Sequence, residues 1–449
     1  MRIKKIFSPI ILFLSLSLFF FTFYKSEFYW DGRRRDYYFF YYLLSLILIF
    51  FSIITFFINQ KIKEYLIISC ISLVISLYLF EGYLNIPNQF PNDKLYEKLS
   101  GNKWDKRSKL EVYKDLKKEN VEITVTTSPY YFLNRKYDEK SDILTLAGVS
   151  NTKTIYCNEN GYYSIYQSDR YGFNNPDTEW DKKKIEYLLI GDSFVHGACV
   201  NRPNDISSVL RTKYNKSTLN LGYGGNDSLI QYATLREYLN SNVKKVIWVF
   251  FEGNDLDEKT MMYFKNKILN QYVQNLSFSQ NLKYKQSEID IFLKKEVDLI
   301  SKKKVSEKRE FNLKTEFKKF IKLSKVRSIM NLFLPKKYQP RFAESSSQQK
   351  LREFREILTL TNKLVNEKNS KLYFVYLPEY ERYVFNYENT NYYNVKNIID
   401  DLKIPFIDIH KEVFEKEQNP LRLFPFNSVG HYNLEGYKKV AETINQLTN

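Results

Sequence analysis

A serine in the middle of the chain has a local sequence suited to nucleophilic chemistry. The apolar run at residues 187–190 breaks into Gly191-Asp192-Ser193, and the residues that follow favour a helix. Glycine permits a tight turn, and a serine at a helix start lies beside free backbone N–H groups that stabilise negative charge. The tripeptide alone is also typical of ordinary loops, so its interpretation depends on the rest of the chain.

Three later segments carry the groups that a serine nucleophile requires. Gly225 follows a second apolar run, Asn254 follows a third, and His431 precedes the last helical pattern. Acyl transfer through serine needs a base for its proton and donors for the tetrahedral oxyanion. We therefore predict Ser193 as the nucleophile and His431 as the base. The N–H groups of Ser193 and Gly225, with the side-chain amide of Asn254, would form the oxyanion hole.

The chain contains only three histidines, which narrows the choice of base. His196 lies one turn after Ser193, and we interpret it as packed or hydrogen-bonded near the turn. His410 is interpreted as an ordinary surface or helix-start residue. His431 is the histidine that stands in a motif.

Five short apolar runs predict the strands that must position these residues: 185–190, 218–221, 245–251, 371–376 and 405–409. Helical patterns lie between and after them, most clearly at residues 228–239, 348–367, 394–402 and 434–447. Alternation of strands and helices indicates an α/β fold with a parallel sheet covered on both faces. Active groups in such folds lie at the carboxyl ends of the strands, where the predicted site residues fall.

The four segments, in this order and spacing, resemble the SGNH or GDSL hydrolases, which are named after Ser, Gly, Asn and His in four blocks. Ser193, Gly225, Asn254 and His431 occupy the matching positions, and residues 169–176 resemble the lead-in of many bacterial members. The resemblance covers about residues 165–449. It implies a flavodoxin-like three-layer sandwich with a five-stranded parallel sheet. Members include esterases, lipases, carbohydrate deacetylases and partners in polysaccharide O-acetylation, so the resemblance implies ester chemistry without specifying a substrate.

One position departs from the family pattern. The family places an aspartate three residues before the histidine, and Ser428 stands there in this chain. Loss of the orienting acid costs a serine protease about 10⁴ in kcat. The chain then has a Ser–His dyad oriented by a backbone carbonyl, a substitute carboxylate such as Asp408, or a degenerate site that binds without turnover. We favour the dyad.

Apolar stretches near the N-terminus predict attachment to the cell inner membrane. Residues 6–24, 37–59 and 65–80 are uncharged, and a spanning helix needs about 20 such residues. A cleaved signal peptide is the alternative for the first stretch, but two further stretches and the lack of a small-residue cleavage site argue against it. Flanking basic residues are almost balanced. We place the N-terminus inside, which makes the catalytic domain extracytoplasmic or periplasmic.

The net charge is +17, from 68 Lys and Arg against 51 Asp and Glu. The lysines are mixed with acids along the chain, and we find no zinc-ligand spacing, phosphate loop or RNA-binding motif. We predict no nucleic-acid partner, metal or organic cofactor. The basic surface would face anionic lipid or an acidic glycan.

Three cysteines exclude a disulfide-rich scaffold. Cys157 and Cys199 form either a bridge, in an oxidising compartment, or two buried thiols.

These interpretations divide the chain into a membrane module, residues 1–90, and a hydrolase-like domain, residues 91–449. Within the domain, residues 91–165 form a lead-in and residues 256–340 an insertion that serves as a lid or a helical cover. The expected function is a membrane-anchored serine esterase or acyltransferase acting on O-acyl esters, with acetyl groups on an envelope glycan as substrate. The alternatives are a non-catalytic glycan-binding or assembly protein and a lipase acting on lipid esters.

Overall fold

The computed structural model describes residues 2–30, 32, 34–85, 92–133, 143–256, 266–334, 338, 348–385, 389 and 391–449. The chain divides into two compact units, one of Met1–Gln89 with Val305–Ser345 and one of Phe90–Lys304 with Ser346–Asn449. The predicted insertion therefore contributes to both units. Residues 91, 134–142, 257–265, 335–337 and 339–340 of the predicted lead-in and insertion lie outside the described residues.

The first unit contains three helices long and apolar enough to cross a membrane: α1 (Arg2–Phe23), extended by a π-helical segment (Tyr24–Tyr29), α2 (Arg35–Phe57) and α3 (Gln60–Leu84). Their burial pattern is the reverse of that in water-soluble helices. Ser45, Ser52 and Thr55 are buried, whereas Phe50 and Phe57 are 68% and 86% exposed. Small residues let helices pack closely in lipid, and outward apolar side chains suit its acyl chains. The three predicted apolar spans are confirmed.

Within its described residues, the second unit contains eight strands: β1 (Ile123–Val125), β2 (Lys153–Ile155), β3 (Ile165–Gln167), β4 (Ile185–Ile190), β5 (Thr218–Asn220), β6 (Val243–Phe251), β7 (Lys371–Leu377) and β8 (Phe406–Asp408). Helices α4 to α10 are Asp93–Ser100, Lys109–Lys118, Pro129–Leu133, Ser193–His196, Ile206–Tyr214, Ser228–Tyr238 and Lys267–Gln274. Helix α11 (Gln286–Ile321) runs through both units, and α12 (Ser324–Leu332) belongs to the first. Helices α13 to α17 are Gln348–Glu367, Tyr380–Val384, Tyr392–Asp401, Ile409–Glu412 and Leu434–Thr448. The 3₁₀ turns are Asp177–Asp181, Leu282–Tyr284, Phe414–Lys416, Pro420–Leu423 and Pro425–Asn427.

The main sheet has the order β5-β4-β6-β7-β8, and every neighbouring pair is parallel. Alternate residues of its strands enter two separate cores. Leu188 and Ile190 pack in one core with α9 and α13, whereas Tyr187 and Leu189 pack in the other with α8 and α17. The predicted three-layer α/β fold with five parallel strands is confirmed. This flavodoxin-like strand order places the switch point between the carboxyl ends of β4 and β6.

A smaller sheet precedes the main one. Strand β2 pairs with β1 in parallel and with β3 antiparallel. The connection between β2 and β3 contains the sequence Asn158-Glu159-Asn160-Gly161, which the sequence predicts only as a turn.

A buried ion pair stabilises the carboxyl end of β6, just before Asn254. The side chains of Arg382 and Glu252 are 5% and 0% exposed. Arg382 Nε donates to Glu252 Oε1 over 2.8 Å, and the same carboxylate accepts the Tyr376 hydroxyl and the Glu379 N–H. A buried carboxylate is tolerated only when its acceptors are occupied in this way.

We expect Arg382→Met to destabilise the chain by about 3–5 kcal/mol, because Glu252 would remain buried without its cation. Arg355→Met is the matched control. It breaks the exposed pair between Arg355 and Asp401, whose side chains are 42% and 58% exposed, and should cost at most about 1 kcal/mol. Denaturant unfolding of the detergent-solubilised chain measures both free energies. Equal losses would contradict the role assigned to the buried pair.

Candidate active site

The turn after β4 places Ser193 at the first position of α7. A Cβ on Gly191 would lie 2.5 Å from Val195 Cγ2 and 2.9 Å from the Val249 carbonyl oxygen, so only glycine fits there. The carboxylate of Asp192 accepts the Phe194 N–H over 2.9 Å and caps the helix. Asp192 thus has a structural role in the turn beside Ser193.

The structure brings Ser193 and His431 together. Their Oγ and Nε2 atoms are 2.8 Å apart. His431 lies three residues before α17, whose N-cap is Asn433. The ring of His431 packs against Phe194 with a centroid separation of 4.8 Å. His431 is therefore held by the helix that follows it and by the helix that carries Ser193.

A carboxylate that the sequence analysis missed lies on the other side of His431. Glu159 Oε1 is 2.9 Å from His431 Nδ1, and Glu159 Oε2 accepts the backbone N–H of His431 over 2.7 Å. Donation from Nδ1–H to Glu159 leaves the Nε2 lone pair directed at the Ser193 hydroxyl. The three residues thus form a hydrogen-bonded chain with the geometry that a nucleophile, a base and an orienting acid require.

Asp408 does not fill this position, which corrects one of the sequence-based alternatives. Its carboxylate accepts the Tyr392 hydroxyl and the Lys411 N–H, so it caps α16. Ser428, at the position of the family aspartate, accepts a hydrogen bond from the side chain of Asn92. The favoured dyad is likewise incomplete as a description, since His431 is oriented by Glu159 rather than by a backbone carbonyl.

Two features let Glu159 reach His431 from a distant part of the chain. A Cβ on Gly430 would lie 2.8 Å from Glu159 Oε2, so glycine leaves room for the carboxylate. A disulfide joins Cys157 to Cys199 and links the turn of Glu159 to the segment after α7. Asn160 adds a hydrogen bond to the carbonyl oxygen of Cys199 over 2.9 Å.

Ligand atoms of Glu159, Cys199 and His431 lie within 4.8 Å of one another, a spacing suited to a metal ion. The sulfur of Cys199 is bonded to Cys157 and is therefore not a thiolate ligand in this state. His431 and Glu159 already pair with each other. The arrangement fits a histidine oriented by a hydrogen-bonded carboxylate better than a metal centre.

Glu159 and His431 shift each other's pKa toward the charged form. Burial alone would lower the pKa of His431, but the hydrogen bond and charge of Glu159, with the charge of Asp192, raise it above its ordinary value. Burial would raise the pKa of Glu159, and the hydrogen bond and charge of His431 lower it below its ordinary value. Glu159 therefore stays ionised and stabilises the imidazolium that forms when His431 accepts a proton.

Of the predicted oxyanion donors, Asn254 lies beside the turn that carries Ser193. Asn254 Nδ2 and Ser193 Oγ both approach Asp192 Oδ2, at 3.5 and 3.3 Å. Gly225 has a φ of +84°, and a Cβ there would lie 2.4 Å from Ser128 Oγ. The backbone at Gly225 thus requires glycine for both conformation and space.

His196 is buried beneath the loop that carries Gly225. Its ring lies between Tyr156 and Tyr223, with centroid separations of 4.2 and 4.5 Å. Its Nδ1 accepts the Gly224 N–H over 3.1 Å, which assigns the proton to Nε2, 2.8 Å from the Tyr166 hydroxyl. Burial lowers the pKa of His196 to about 3. A neutral ring therefore holds the loop at physiological pH.

The chain has structural similarity to a solved structure described as a lipolytic protein of the G-D-S-L family from Desulfitobacterium hafniense DCB-2. The sequence identity is 13% and the TM-score is 0.32, with 59% of this chain and 99% of that chain covered. A likeness of this size carries no argument about function. Neither a protein-family model nor a curated protein matches the chain. Functional inference therefore depends on the site residues themselves.

We expect Glu159→Gln to lower the pKa of His431, because the substitution removes the carboxylate charge that favours the imidazolium. The chain has three histidines, so NMR of selectively labelled histidine rings can follow each one against pH. The titration of His410 is the internal control and should not move. An unchanged titration of His431 would contradict the contact with Glu159.

We expect His196→Phe to loosen the loop at residues 222–226, because phenylalanine keeps an aromatic ring but cannot accept the Gly224 N–H. Hydrogen exchange measured by mass spectrometry should become faster in a peptide that covers residues 222–226. A peptide from β6 is the control and should keep its protection. Faster exchange in both peptides would indicate general destabilisation and contradict a local role.

Proposed function

We propose that this chain is a membrane-anchored, SGNH-type serine esterase or acyltransferase acting on O-acyl esters. The observation that carries the proposal is the hydrogen-bonded chain from Ser193 through His431 to Glu159. It supplies a nucleophile, a base and an orienting acid at 2.8 and 2.9 Å. The contact of Glu159 with His431 supports this proposal over a degenerate binding protein, the alternative that Ser428 favours.

The proposed reaction has two acyl-transfer steps. Ser193 Oγ attacks the ester carbonyl while its proton moves to His431 Nε2, and the tetrahedral intermediate forms. The C–O bond to the alcohol then breaks, and His431 returns the proton to the leaving oxygen. Water or a sugar hydroxyl next attacks the acyl-serine, with His431 again accepting and returning a proton. Hydrolysis and transfer differ only in that second acceptor.

The intermediate carries an oxyanion that must be stabilised while it exists. The N–H groups of Ser193 and Gly225 and the side-chain amide of Asn254 are the proposed donors. Each is held before substrate arrives: Ser193 by the capped α7, Gly225 by the loop on His196, and Asn254 by the turn after β6. Removal of one such donor typically lowers kcat by about 10²–10³.

We propose acetyl esters of an envelope glycan, reached on the extracytoplasmic side, as the substrate. The disulfide between Cys157 and Cys199 supports an oxidising compartment, and the three apolar helices are consistent with membrane anchoring. A lipase is the second candidate, because the aromatic-rich helices would hold the domain beside lipid esters. Both candidates use the same nucleophile and base.

A fluorophosphonate probe tests the proposed site on the full chain. The wild type should be labelled, and Ser193→Ala and His431→Ala should abolish labelling. Glu159→Gln should slow it by up to about 10⁴, the cost of losing the orienting acid in a serine protease. Asp408→Asn removes a buried carboxylate of similar type and is the matched control, with an unchanged rate. Labelling that survives in Ser193→Ala would refute the assignment.

The acyl preference separates the two candidates. An enzyme for glycan acetyl esters should hydrolyse p-nitrophenyl acetate faster than p-nitrophenyl palmitate in the same detergent. The reverse order would favour the lipase. Ser193→Ala is the blank for both substrates.

A further inference from the structure

The second half of the predicted insertion packs against the membrane-spanning helices within the first unit. The Tyr78 hydroxyl of α3 donates to the Ile321 carbonyl oxygen over 3.0 Å, and the rings of Tyr78 and Phe320 lie 5.5 Å apart. Glu81 Oε1 and Oε2 accept the N–H groups of Lys325 and Val326 over 3.0 and 2.8 Å. These contacts join the end of α11 and the start of α12 to the last turns of α3.

The contacts lie at the end of α3. Helices α2 and α3 are separated by only two residues, so the beginning of α2 and the end of α3 lie on the same side of a bilayer. Tyr338 packs on Phe39 and Phe40 near the beginning of α2, with both centroid separations 5.0 Å. The segment after α11 therefore contacts both the end of α3 and the beginning of α2.

Aromatic residues mark this end as the membrane–water interface. Trp30 lies between α1 and α2, and Tyr37 and Tyr38 begin α2. Tryptophan and tyrosine are enriched where spanning helices meet lipid headgroups. Residues near Glu81 are therefore at headgroup level.

The residues placed there combine one sign of charge with apolar surface. We call residues 317–334 the basic belt: it contains Lys318, Lys319, Lys322, Lys325 and Arg327, and no Asp or Glu. Lys318, Lys322, Lys325 and Arg327 are exposed. Phe317, Ile321, Met330 and Phe333 are 65%, 51%, 60% and 83% exposed. Cationic heads beside exposed apolar side chains are the surface of a helix that lies in the headgroup region.

We propose that the basic belt lies on the bilayer surface and binds anionic phospholipid headgroups. The lysines and Arg327 pair with lipid phosphate, while Met330 and Phe333 enter the boundary between headgroups and acyl chains. Polybasic segments beside a spanning helix gain affinity for an anionic leaflet in this way. The inference does not depend on the reaction proposed for Ser193. It assigns to part of the insertion a lipid-binding role in place of that of a lid.

Native mass spectrometry of the detergent-solubilised full chain tests the proposal, with phosphatidylglycerol and phosphatidylcholine of matched acyl chains as probes. The wild type should retain phosphatidylglycerol preferentially, and added salt should weaken retention. The belt variant should lose that preference by about tenfold or more, because each basic residue near an anionic surface adds attraction. It carries four substitutions: Lys318→Gln, Lys322→Gln, Lys325→Gln and Arg327→Gln.

Two further variants distinguish loss of lipid binding at the basic belt from an effect of net charge and from misfolding. The charge-matched control carries Lys182→Gln, Lys183→Gln, Lys184→Gln and Lys438→Gln, all at exposed positions of the second unit, and should bind as the wild type does. A charge-keeping variant, Lys318→Arg, Lys322→Arg, Lys325→Arg and Arg327→Lys, should also retain binding. All should share the thermal unfolding midpoint of the wild type.

Three outcomes would overturn the proposal. The belt variant could keep the lipid preference, or the charge-matched control could lose as much as the belt variant. The wild type could instead bind soluble polyglutamate through the belt without any preference between the two lipids. That last result would assign the surface to an acidic protein partner.

Discussion

The two hydrogen bonds that Glu159 makes to His431 are the contact on which the rest of the candidate site depends. One bond holds the backbone N–H of His431 and the other holds Nδ1 of its imidazole ring. The ring is thereby oriented with Nε2 toward Ser193. A histidine after a loop would otherwise choose among several rotamers and two tautomers. Because Ser428 cannot supply the charge, the lead-in before the main sheet becomes part of the site.

A hydrogen bond to a histidine also positions the loop that carries Gly225, but there the histidine is neutral. His196 accepts the Gly224 N–H and is itself enclosed by Tyr156 and Tyr223. Burial keeps its pKa low, so its acceptor is not lost to protonation. One histidine is kept basic by a carboxylate and the other neutral by aromatic rings. Their environments, rather than their residue type, separate the proton transfer proposed for His431 from the positioning role of His196.

The strands could be predicted because each buried parallel strand is a short apolar run, and that pattern depends on local burial alone. Ser193 and His431 could be predicted because both stand beside element boundaries. Glu159 could not: it lies 272 residues from His431 in a polar turn that has the composition of any solvated turn. Asp408 was a reasonable alternative at a strand end, but its carboxylate already caps α16. Local patterns do not reveal which distant carboxylate has a partner.

A carboxylate with distant partners also explains why part of the insertion belongs to the first unit. An acid near the end of an apolar span is costly in lipid unless its oxygens are occupied. Glu81 is buried, and its oxygens accept the Lys325 and Val326 N–H groups and the Asn85 side chain. Those N–H groups are donors that a helix start leaves unpaired. Each side therefore satisfies a requirement of the other. The sequence of the insertion, which predicted a lid or a helical cover, contained no sign of the carboxylate that caps α12.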